Sequence, residues 1–581
     1  MTSPTLDPFL VGVVANRLTS VLNEQQTALI NTAFSSVVRE SLDLACAVFD
    51  SRGEMVGQSE GGTPGHINAM ATGMRHFVDR FPPESLEPGD VLLTNDPWKT
   101  AGQINDITVA TPVFRDGRVV AWFATCCHAP DIGGRVVSAQ ANEVFEEGLA
   151  LPIMKFFRAG NVNEELVEII RENVRTPSET IGDLYAQASA NDVGAKSLLR
   201  VMDEYELDSI DEIAVEIMER SETALREAIS AIPDGTYRSS VTTDGFDEEH
   251  LNLELAVTIT GDSIVLDYTG SSPQSRYGVN VVRNYTRAYS SFAVKAAIAP
   301  YVPHNAGSFR PVEVIAPEGS VLNCRRPAPV ASRHLVGHYL PSLIFQALRQ
   351  AMPDRLMSES SDAVWMTIWR GSWPDGRPFM FNNFQAGGTG ARAVKDGLSA
   401  TSFPSGVRVV PTEVIEAITP LVQSRRALRE DSGGAGEYRG GLGQITTYRC
   451  RSASSWVVNG NVDRILYPAA GAEHGRAGST GFFGSTDGNA LPRKRPHNLK
   501  PSDVVEVHLP GGGGYGRPYS RDPQKVLADV AEGYVSSESA LRDYGVAVIY
   551  TGKKNALVRP PKLFVLDEKA TAAARAGEAT A

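Results

Sequence analysis

The sequence contains no apolar run of about 18 residues, the length that a helix needs to span a bilayer. Its first residues include Asp7 and lack the basic stretch that opens a secretory signal. We therefore expect a cytoplasmic protein without a membrane-spanning helix. The five cysteines are few, odd in number and scattered, which predicts reduced thiols and excludes a disulfide framework.

Nucleotide-binding motifs are also missing. No GxxxxGK sequence followed by Ser or Thr occurs, so the chain has no P-loop for ATP. Residues 511–516 match GxGxxG, but no helix follows them, so a dinucleotide-binding interpretation fails on context. The formal net charge of -13 argues against nucleic acid or an anionic membrane as partner, because phosphate contacts need a basic face. The short basic run at 493–495 is interpreted as a solvated turn.

What is present is the composition of a globular protein, with 42% hydrophobic and 21% charged residues among 581. That length exceeds one core and predicts about three to four domains or subdomains. We predict a multi-subdomain α+β fold. Its parts are an N-terminal α/β part with the site hairpin (1–160), a helical block (161–234), an antiparallel β part (235–325), an α/β and glycine-rich β part (326–550) and a C-terminal extension (551–581).

Hydrophobic periodicity underlies these parts. Apolar residues recur with helical spacing in the stretches 8–39, 163–232 (with a break at Thr176-Pro177) and 331–352. Strict alternation replaces it over 235–323 and predicts an antiparallel, half-buried sheet. The alanine-rich tail from Glu568 onward is predicted to be disordered.

The most informative segment, 91–134, contains three predicted strands. They cover 91–94, 107–114 and 119–126, and Asp116-Gly117 is the turn between the last two. The last two strands therefore form a hairpin whose open end gathers carboxylates, a histidine and a thiol pair.

The register of this hairpin decides whether those side chains can meet. A two-residue turn places Asp106 opposite Cys127 and His128 opposite Asn105. Strict alternation then puts Asp106 and His128 on opposite faces of the hairpin, so a shared ligand requires a bulge or splaying at the strand end.

The residue types at this open end suit a divalent ion bound by oxygen and nitrogen donors. The candidates are the carboxylates of Asp106 and Asp131, the imidazole of His128 and the amide oxygen of Gln103. The alternative is that His128 is a hydrogen-bonded core histidine and that the aspartates cap turns.

Two further patterns carry chemistry. His334 and His338 have the i, i+4 spacing of zinc-binding helices, but the glutamate of HExxH is missing and Gly337 weakens the helix. We predict a packing or substrate-lining role for this pair. The glycine clusters at 432–436 and 439–443 can gather backbone N–H groups in one concavity, which suits an anion.

Longer motifs resemble a single family along most of the chain. They include RESLDLACAVFD, GHINAM, TNDPW, HAPDIGG, ANEVFEEG, NCRRPAPVASRH and PGGGGYG. From 7 to 550 the chain resembles the hydantoinase B family, which includes the alpha-type subunits of acetone carboxylase and related acetophenone carboxylase subunits.

This resemblance implies a metal-bearing subunit that works with a separate hydantoinase A-type subunit carrying ATP and magnesium. The partner would phosphorylate a weakly reactive oxygen of a small-molecule substrate, and the metal would activate water or polarise a carbonyl. Zinc or manganese is the expected ion, with magnesium and iron as alternatives. No nucleic acid or membrane partner is expected.

The resemblance also implies site residues. The family's ligand positions fall on Gln103, Asp106 and His128, so an amide oxygen here replaces the family's first imidazole, and Asp43 is the fourth ligand candidate. The implied catalytic candidates are Asp131, Glu147 and His66.

The resemblance and the site residues leave three alternative functions. The first is hydrolysis of a cyclic amide, such as a lactam or hydantoin, that the partner activates by phosphorylation. The second is an ATP-dependent ketone carboxylase. The third, of another class, is a non-catalytic structural subunit with a vestigial site.

Overall fold

The computed structural model describes residues 7–362, 364–553 and 555–578. Helices and mainly antiparallel sheets alternate along these residues, which confirms the predicted α+β class, while the boundaries between its parts stay predictions. No helix within the described ranges is long and apolar enough to cross a membrane. The helices are α1 (Pro8–Thr32), α2 (Ser36–Arg39), α3 (Pro64–Arg80), α4 (Glu164–Asn173), α5 (Pro177–Glu204), α6 (Asp211–Ser230), α7 (Arg283–Ile298), α8 (His334–Gly337), α9 (Leu340–Arg349), α10 (Thr412–Ile418), α11 (Pro523–Ala531), α12 (Ser537–Tyr544) and α13 (Glu568–Glu578).

A seven-stranded sheet dominates the N-terminal part and carries the site hairpin. Its strands are β1 (Leu44–Asp50), β2 (Met55–Gln58), β3 (Val91–Thr94), β4 (Asp106–Arg115), β5 (Arg118–His128), β6 (Met154–Arg158) and β7 (Asn161–Val162). Their spatial order is β2-β1-β5-β4-β3-β6-β7, so the hairpin strands β4 and β5 lie near its centre. The three strands predicted in this region are confirmed.

Helices cover both faces of this sheet, α3 on one face and α1 with α5 on the other. Val14, Leu18 and Leu22 of α1 are buried against it, as the helical spacing predicted. The predicted helix ends early, however, because α1 stops at Thr32, and Phe34 on its predicted face is 59% exposed. The break predicted at Thr176-Pro177 is confirmed, since α5 begins at the proline, whose missing N–H costs nothing in a first helical turn.

The second sheet corrects the prediction for 235–323. It contains β8 (Gly235–Phe246), β9 (Glu249–Thr260), β10 (Ser263–Asp267) and β11 (Val312–Ile315). The antiparallel alternation over the first three strands is confirmed. It is wrong for the remainder, where α7 crosses the sheet and β11 pairs with β10 in parallel. Buried residues surround much of α7, so its sequence shows no single apolar stripe.

Two four-stranded sheets build the C-terminal part and pack around Trp365, Trp369 and Trp456, all fully buried. One contains β12 (Trp365–Ser372), β13 (Pro378–Gln385), β16 (Trp456–Asn461) and β18 (Pro496–Leu499). The other contains β14 (Leu421–Leu428), β15 (Gln444–Cys450), β17 (Phe482–Ser485) and β19 (Val505–His508). A final pair is β20 (Val548–Tyr550) and β21 (Phe564–Leu566).

The glycine clusters pack backbone against backbone, so the predicted anion site is wrong. A Cβ on Gly440 would lie 2.0 Å from the carbonyl oxygen of Gly512. The N–H groups are already used, because Gly434 donates to the Gly512 oxygen at 2.9 Å and Gly441 donates to the Thr389 oxygen at 2.8 Å. Donors that are paired within the chain are not available to an anion.

The alanine-rich tail is helical to residue 578, which corrects the predicted disorder from Glu568. Alanine has the highest helix propensity. The helix is also anchored, since the Arg575 guanidinium donates to the backbone oxygens of Arg521 at 2.7 Å and Tyr544 at 3.2 Å. The last three residues of the predicted tail, 579–581, lie outside the described residues.

The basic run at 493–495 is not a solvated turn. Lys494 is 4% exposed, and its ammonium donates to the Asp463 carboxylate at 2.7 Å. Its neighbours pair with Asp244 and Asp247 on the β8–β9 hairpin. The run therefore ties the second sheet to the C-terminal part.

Candidate active site

The bulge that a shared site requires is present, near the turn instead of the strand end. The predicted turn joins β4 to β5, and the pairing register shifts by one residue at Val113/Phe114. Beyond this bulge Asp106 pairs directly with His128. Because directly paired residues share a face of the sheet, the bulge brings the two side chains together.

Six buried side chains meet at the open end of the hairpin. We call them the cavity cluster: Asp43, His66, Gln103, Asp106, His128 and Arg333. Asp106 is their centre. Its Oδ1 lies 2.9 Å from His128 Nδ1 and accepts a hydrogen bond from the Gln103 amide nitrogen at 2.7 Å. Its Oδ2 lies 3.0 Å from His66 Nε2 and accepts a hydrogen bond from the Arg333 guanidinium.

His66 links the two carboxylates of the cluster. It lies in the first turn of α3, and Asp43 directly precedes β1. The His66 Nδ1 atom is 3.6 Å from Asp43 Oδ1, which also accepts a hydrogen bond from the Thr63 hydroxyl at 3.0 Å. One imidazole therefore faces a carboxylate with each of its ring nitrogens.

Electrostatics favour the charged forms of this pairing. Burial alone would raise the pKa of Asp106, but the Arg333 guanidinium, His66 and His128 together hold it well below its usual value. Burial alone would lower the pKa of His66, but Asp106 and Asp43 outweigh that effect and raise it. Two carboxylates thus face the Arg333 guanidinium and the His66 imidazole, whose protonated form they favour.

A small cavity of about 40 Å³ adjoins the cluster and has two unlike walls. His128, His334 and His338 belong to the polar wall. His334 and His338 are buried there, which agrees with the predicted packing role, while a substrate-lining role stays a prediction. The facing wall is apolar and contains Val364, Met366, Phe384 and Val407.

Several polar atoms around this cavity lack a protein partner. Within the described chain, His128 Nε2, His334 Nε2 and Gln103 Oε1 are buried and unpaired. His338 differs, since its Nδ1 accepts a hydrogen bond from the Val364 N–H at 3.4 Å and burial lowers its pKa to about 3. Buried polar atoms are usually paired, so these exceptions indicate a place for a ligand or water.

Comparison with known proteins identifies the family. The model of the hydantoinase B/oxoprolinase family matches residues 7–518. The chain belongs to this family. The caprolactamase subunit beta of Pseudomonas jessenii is 30% identical, over 98% of this chain and 99% of the relative. The crystal structure of an ATP-dependent caprolactamase from Pseudomonas jessenii matches with a TM-score of 0.88 at 27% identity, covering 99% of this chain and 100% of that one.

A second solved structure, the nucleotide-free acetone carboxylase, matches with a TM-score of 0.84. Its sequence is 21% identical, over 99% of this chain and 83% of that one. At this identity the similarity shows the shared fold alone. The hydantoinase B resemblance that the sequence motifs indicated is confirmed.

The donor chemistry of this hydantoinase B family member suits a metal ion, but the geometry does not. Ligands about 2.1 Å from an ion are usually separated by more than about 3 Å. Here the atoms that Gln103 and His128 direct at Asp106 Oδ1 are 2.7 and 2.9 Å away, at hydrogen-bond distance. The facing Gln103 atom is also the amide nitrogen, a hydrogen-bond donor.

The charge of the cluster also argues against a metal ion. Arg333 already neutralises Asp106, and its guanidinium would repel a divalent ion beside that carboxylate. In the described part of the chain, no group of three or more His, Cys, Asp or Glu side chains is arranged to hold a metal. The present arrangement does not fit zinc, manganese, magnesium or iron, and the ligand roles of Asp43, Gln103, Asp106 and His128 stay predictions.

Two predicted catalytic residues lie outside the cavity. The Asp131 carboxylate pairs with the Arg175 guanidinium at 2.7 Å and so ties the loop after β5 to the start of α5. Glu147 accepts hydrogen bonds from the N–H groups of Val330 at 2.6 Å and Ala331 at 2.8 Å. Of the three predicted catalytic residues, the structure brings only His66 to the cluster.

Sequence reasoning missed Arg333. It lies 227 residues beyond Asp106, in the segment before α8, and no local periodicity distinguishes it. Its signal was the motif NCRRPAPVASRH, which ends in Arg333 and His334. That motif marked the family, and the structure supplies its place beside Asp106.

Proposed function

We propose that this chain is a subunit of an ATP-dependent complex that hydrolyses a cyclic amide. The observation that carries the proposal is the Asp106–His128 pair. The Nδ1 atom of His128 lies 2.9 Å from the Asp106 carboxylate, while its Nε2 has no protein partner and the ring lines the cavity. A carboxylate behind an imidazole is the arrangement that orients a general base. The similarity to caprolactamase subunit beta supports the substrate class.

The chemistry explains why ATP is needed. An amide is a weak electrophile, and transfer of the ATP γ-phosphoryl group to its oxygen makes the ring carbon reactive. The chain lacks a P-loop, so a hydantoinase A-type partner would supply that step. His128 Nε2 would then take a proton from water as its oxygen bonds to the ring carbon. That proton passes to the ring nitrogen, the new hydroxyl loses its proton as the C–N bond breaks, and the amine leaves. A second water then hydrolyses the resulting acyl phosphate to a carboxylate and phosphate.

The environment of the cavity matches these roles. Asp106 stays ionised because Arg333 and His66 hold its pKa down, so it can orient the His128 tautomer that donates from Nδ1. The apolar wall at Val364, Met366 and Phe384 can hold the methylene part of a ring and exclude bulk water.

The assembled complex tests this proposal. Co-expression with the hydantoinase A-type subunit should give ADP and a ring-opened amino acid from a lactam or hydantoin, whereas this chain alone should turn over no ATP. Incorporation of labelled bicarbonate into a ketone, without ring opening of any cyclic amide, would show the carboxylase instead. Substrate-dependent ATP hydrolysis by the lone chain would contradict the division of labour.

A further inference from the structure

Arg333 occupies the cavity cluster as a built-in cation. The residue is 2% exposed, and its guanidinium donates from Nε to the Ala101 oxygen at 2.8 Å while another nitrogen donates to Asp106 Oδ2. The guanidinium carbon lies 4.1 Å above the centre of the Tyr285 ring. Each contact fixes a different part of the group, so the charge has one position.

The surrounding chain is shaped to hold Arg333 there. Gly102, the neighbour of Gln103, has a φ of +89°, and a Cβ at this position would lie 3.0 Å from the Arg333 Cδ atom. On the other side, Glu147 holds the N–H groups of residues 330 and 331, three and two positions before Arg333. A side chain on residue 102 would therefore crowd the arginine. Glu147 supports Arg333 by holding the backbone that precedes it.

Neighbouring protein donors also face the carboxylates of the cluster. The position three residues before Asp106 is occupied by Gln103, a neutral amide that donates a hydrogen bond to this carboxylate. The second carboxylate, Asp43, faces His66. Asp106 is thus already satisfied by protein donors, and Asp43 accepts a hydrogen bond from the Thr63 hydroxyl.

We propose that Arg333 supplies the positive charge that a divalent ion would otherwise supply at Asp106, and that this chain holds no stoichiometric metal there. The inference goes beyond the proposed hydrolysis, because it concerns which cation neutralises the cluster and not which substrate enters the cavity.

Elemental analysis tests it without any assay of activity. The full chain is purified with its partner in the absence of chelator and is then dialysed against zinc or manganese. After this treatment it should retain less than about a tenth of an ion per chain. The double variant Arg333→Gln with Gln103→His should bind zinc more than about tenfold more tightly than the wild type. Adding Asp106→Asn to that double variant should abolish the gain.

The matched control replaces a different arginine of the same segment. Arg326 is about half exposed, so Arg326→Gln with Gln103→His should give no gain in zinc affinity. One ion per wild-type chain that disappears in Asp106→Asn would overturn the proposal. So would a correctly folded Arg333→Gln, Gln103→His variant that binds zinc no better than the wild type, since Arg333 would then not be what excludes the ion.

Discussion

Two buried clusters of charged side chains in this molecule are built from similar residues and leave different atoms free. The first is the cavity cluster. The second, which we call the junction cluster, lies between the second sheet and the C-terminal part and contains Asp244, Glu359, Asp362, Asp463, Arg464 and Lys494. Both place arginine against carboxylate away from water.

In the junction cluster the charged side chains pair with one another. Asp463 accepts hydrogen bonds from the Lys494 ammonium and the Tyr339 hydroxyl, both at 2.7 Å. Arg464 pairs with Asp362 at 2.5 Å and with Glu359 at 3.0 Å. Of the deeply buried side-chain polar atoms described in this cluster, Arg464 Nε alone lacks a partner.

In the cavity cluster, some polar atoms lack a hydrogen-bond partner on the side of the cavity. Gln103 Oε1, His128 Nε2 and His66 Nδ1 are buried without a hydrogen-bond partner in the described chain. The difference separates two uses of buried charge. A cluster that satisfies its own atoms joins segments of the chain, whereas one that leaves polar atoms beside a cavity retains capacity for a ligand.

The largest expected effect on stability comes from a substitution that breaks the junction cluster. Lys494→Met leaves the Asp463 carboxylate buried opposite no cation, which should cost about 3–5 kcal/mol of stability. The measurement is the midpoint of denaturant unfolding. Arg495→Met is the control, because its ion pair with Asp247 is nearly half exposed and should contribute less than about 1 kcal/mol. Equal midpoints for the two variants would contradict the assignment.

The next prediction separates function from stability in the cavity cluster. His128→Gln should lower the rate of ring opening by the complex by at least about 100-fold, the usual contribution of a general base. Its free energy of unfolding should fall by no more than about 1–3 kcal/mol, the usual cost of losing the Nδ1 hydrogen bond to Asp106, since Nε2 has no protein partner to lose. His76→Gln, exposed on the same helix as His66, is the control and should keep full activity. Full activity in His128→Gln would make the site vestigial.

A third prediction concerns the pH dependence of the support behind Arg333. Burial raises the pKa of Glu147 from 4.5 to about 8, so the folded state favours the protonated acid. The wild type should therefore lose stability relative to Glu147→Gln as the pH rises from about 4.5 to about 8 and lose no more above that. Unfolding midpoints at several pH values measure this difference. Parallel curves for the two proteins would show that Glu147 is ionised when folded.

The sequence predicts much of this molecule where local pattern decides the structure. The turn at Asp116-Gly117 and the alternation of 235–267 appear as expected, because turn chemistry and strand periodicity act over a few residues. The requirement for a bulge also followed from counting residues. Its position at Val113/Phe114 was not predicted, although Pro112, which cannot donate a ladder hydrogen bond, directly precedes it.

What the sequence could not give is the long-range pairing. Arg333 reaches Asp106 only because the segment before α8 folds against the hairpin, and no spacing rule links residues 227 positions apart. The same holds for Lys494, whose burial against Asp463 reversed the prediction of a solvated turn. Helix α7 was missed for a different reason, since burial on several faces removes the apolar stripe that predicts a helix.

The most direct test of the central claim is the ratio of ring-opened amino acid to ADP produced by the assembled complex. If His128 activates water after the partner has used ATP, the wild type should form one amino acid per ADP. His128→Gln should continue to consume ATP while that ratio falls by more than about tenfold. An unchanged ratio in His128→Gln, with both products formed at the wild-type rate, would contradict the assignment of His128 as the base.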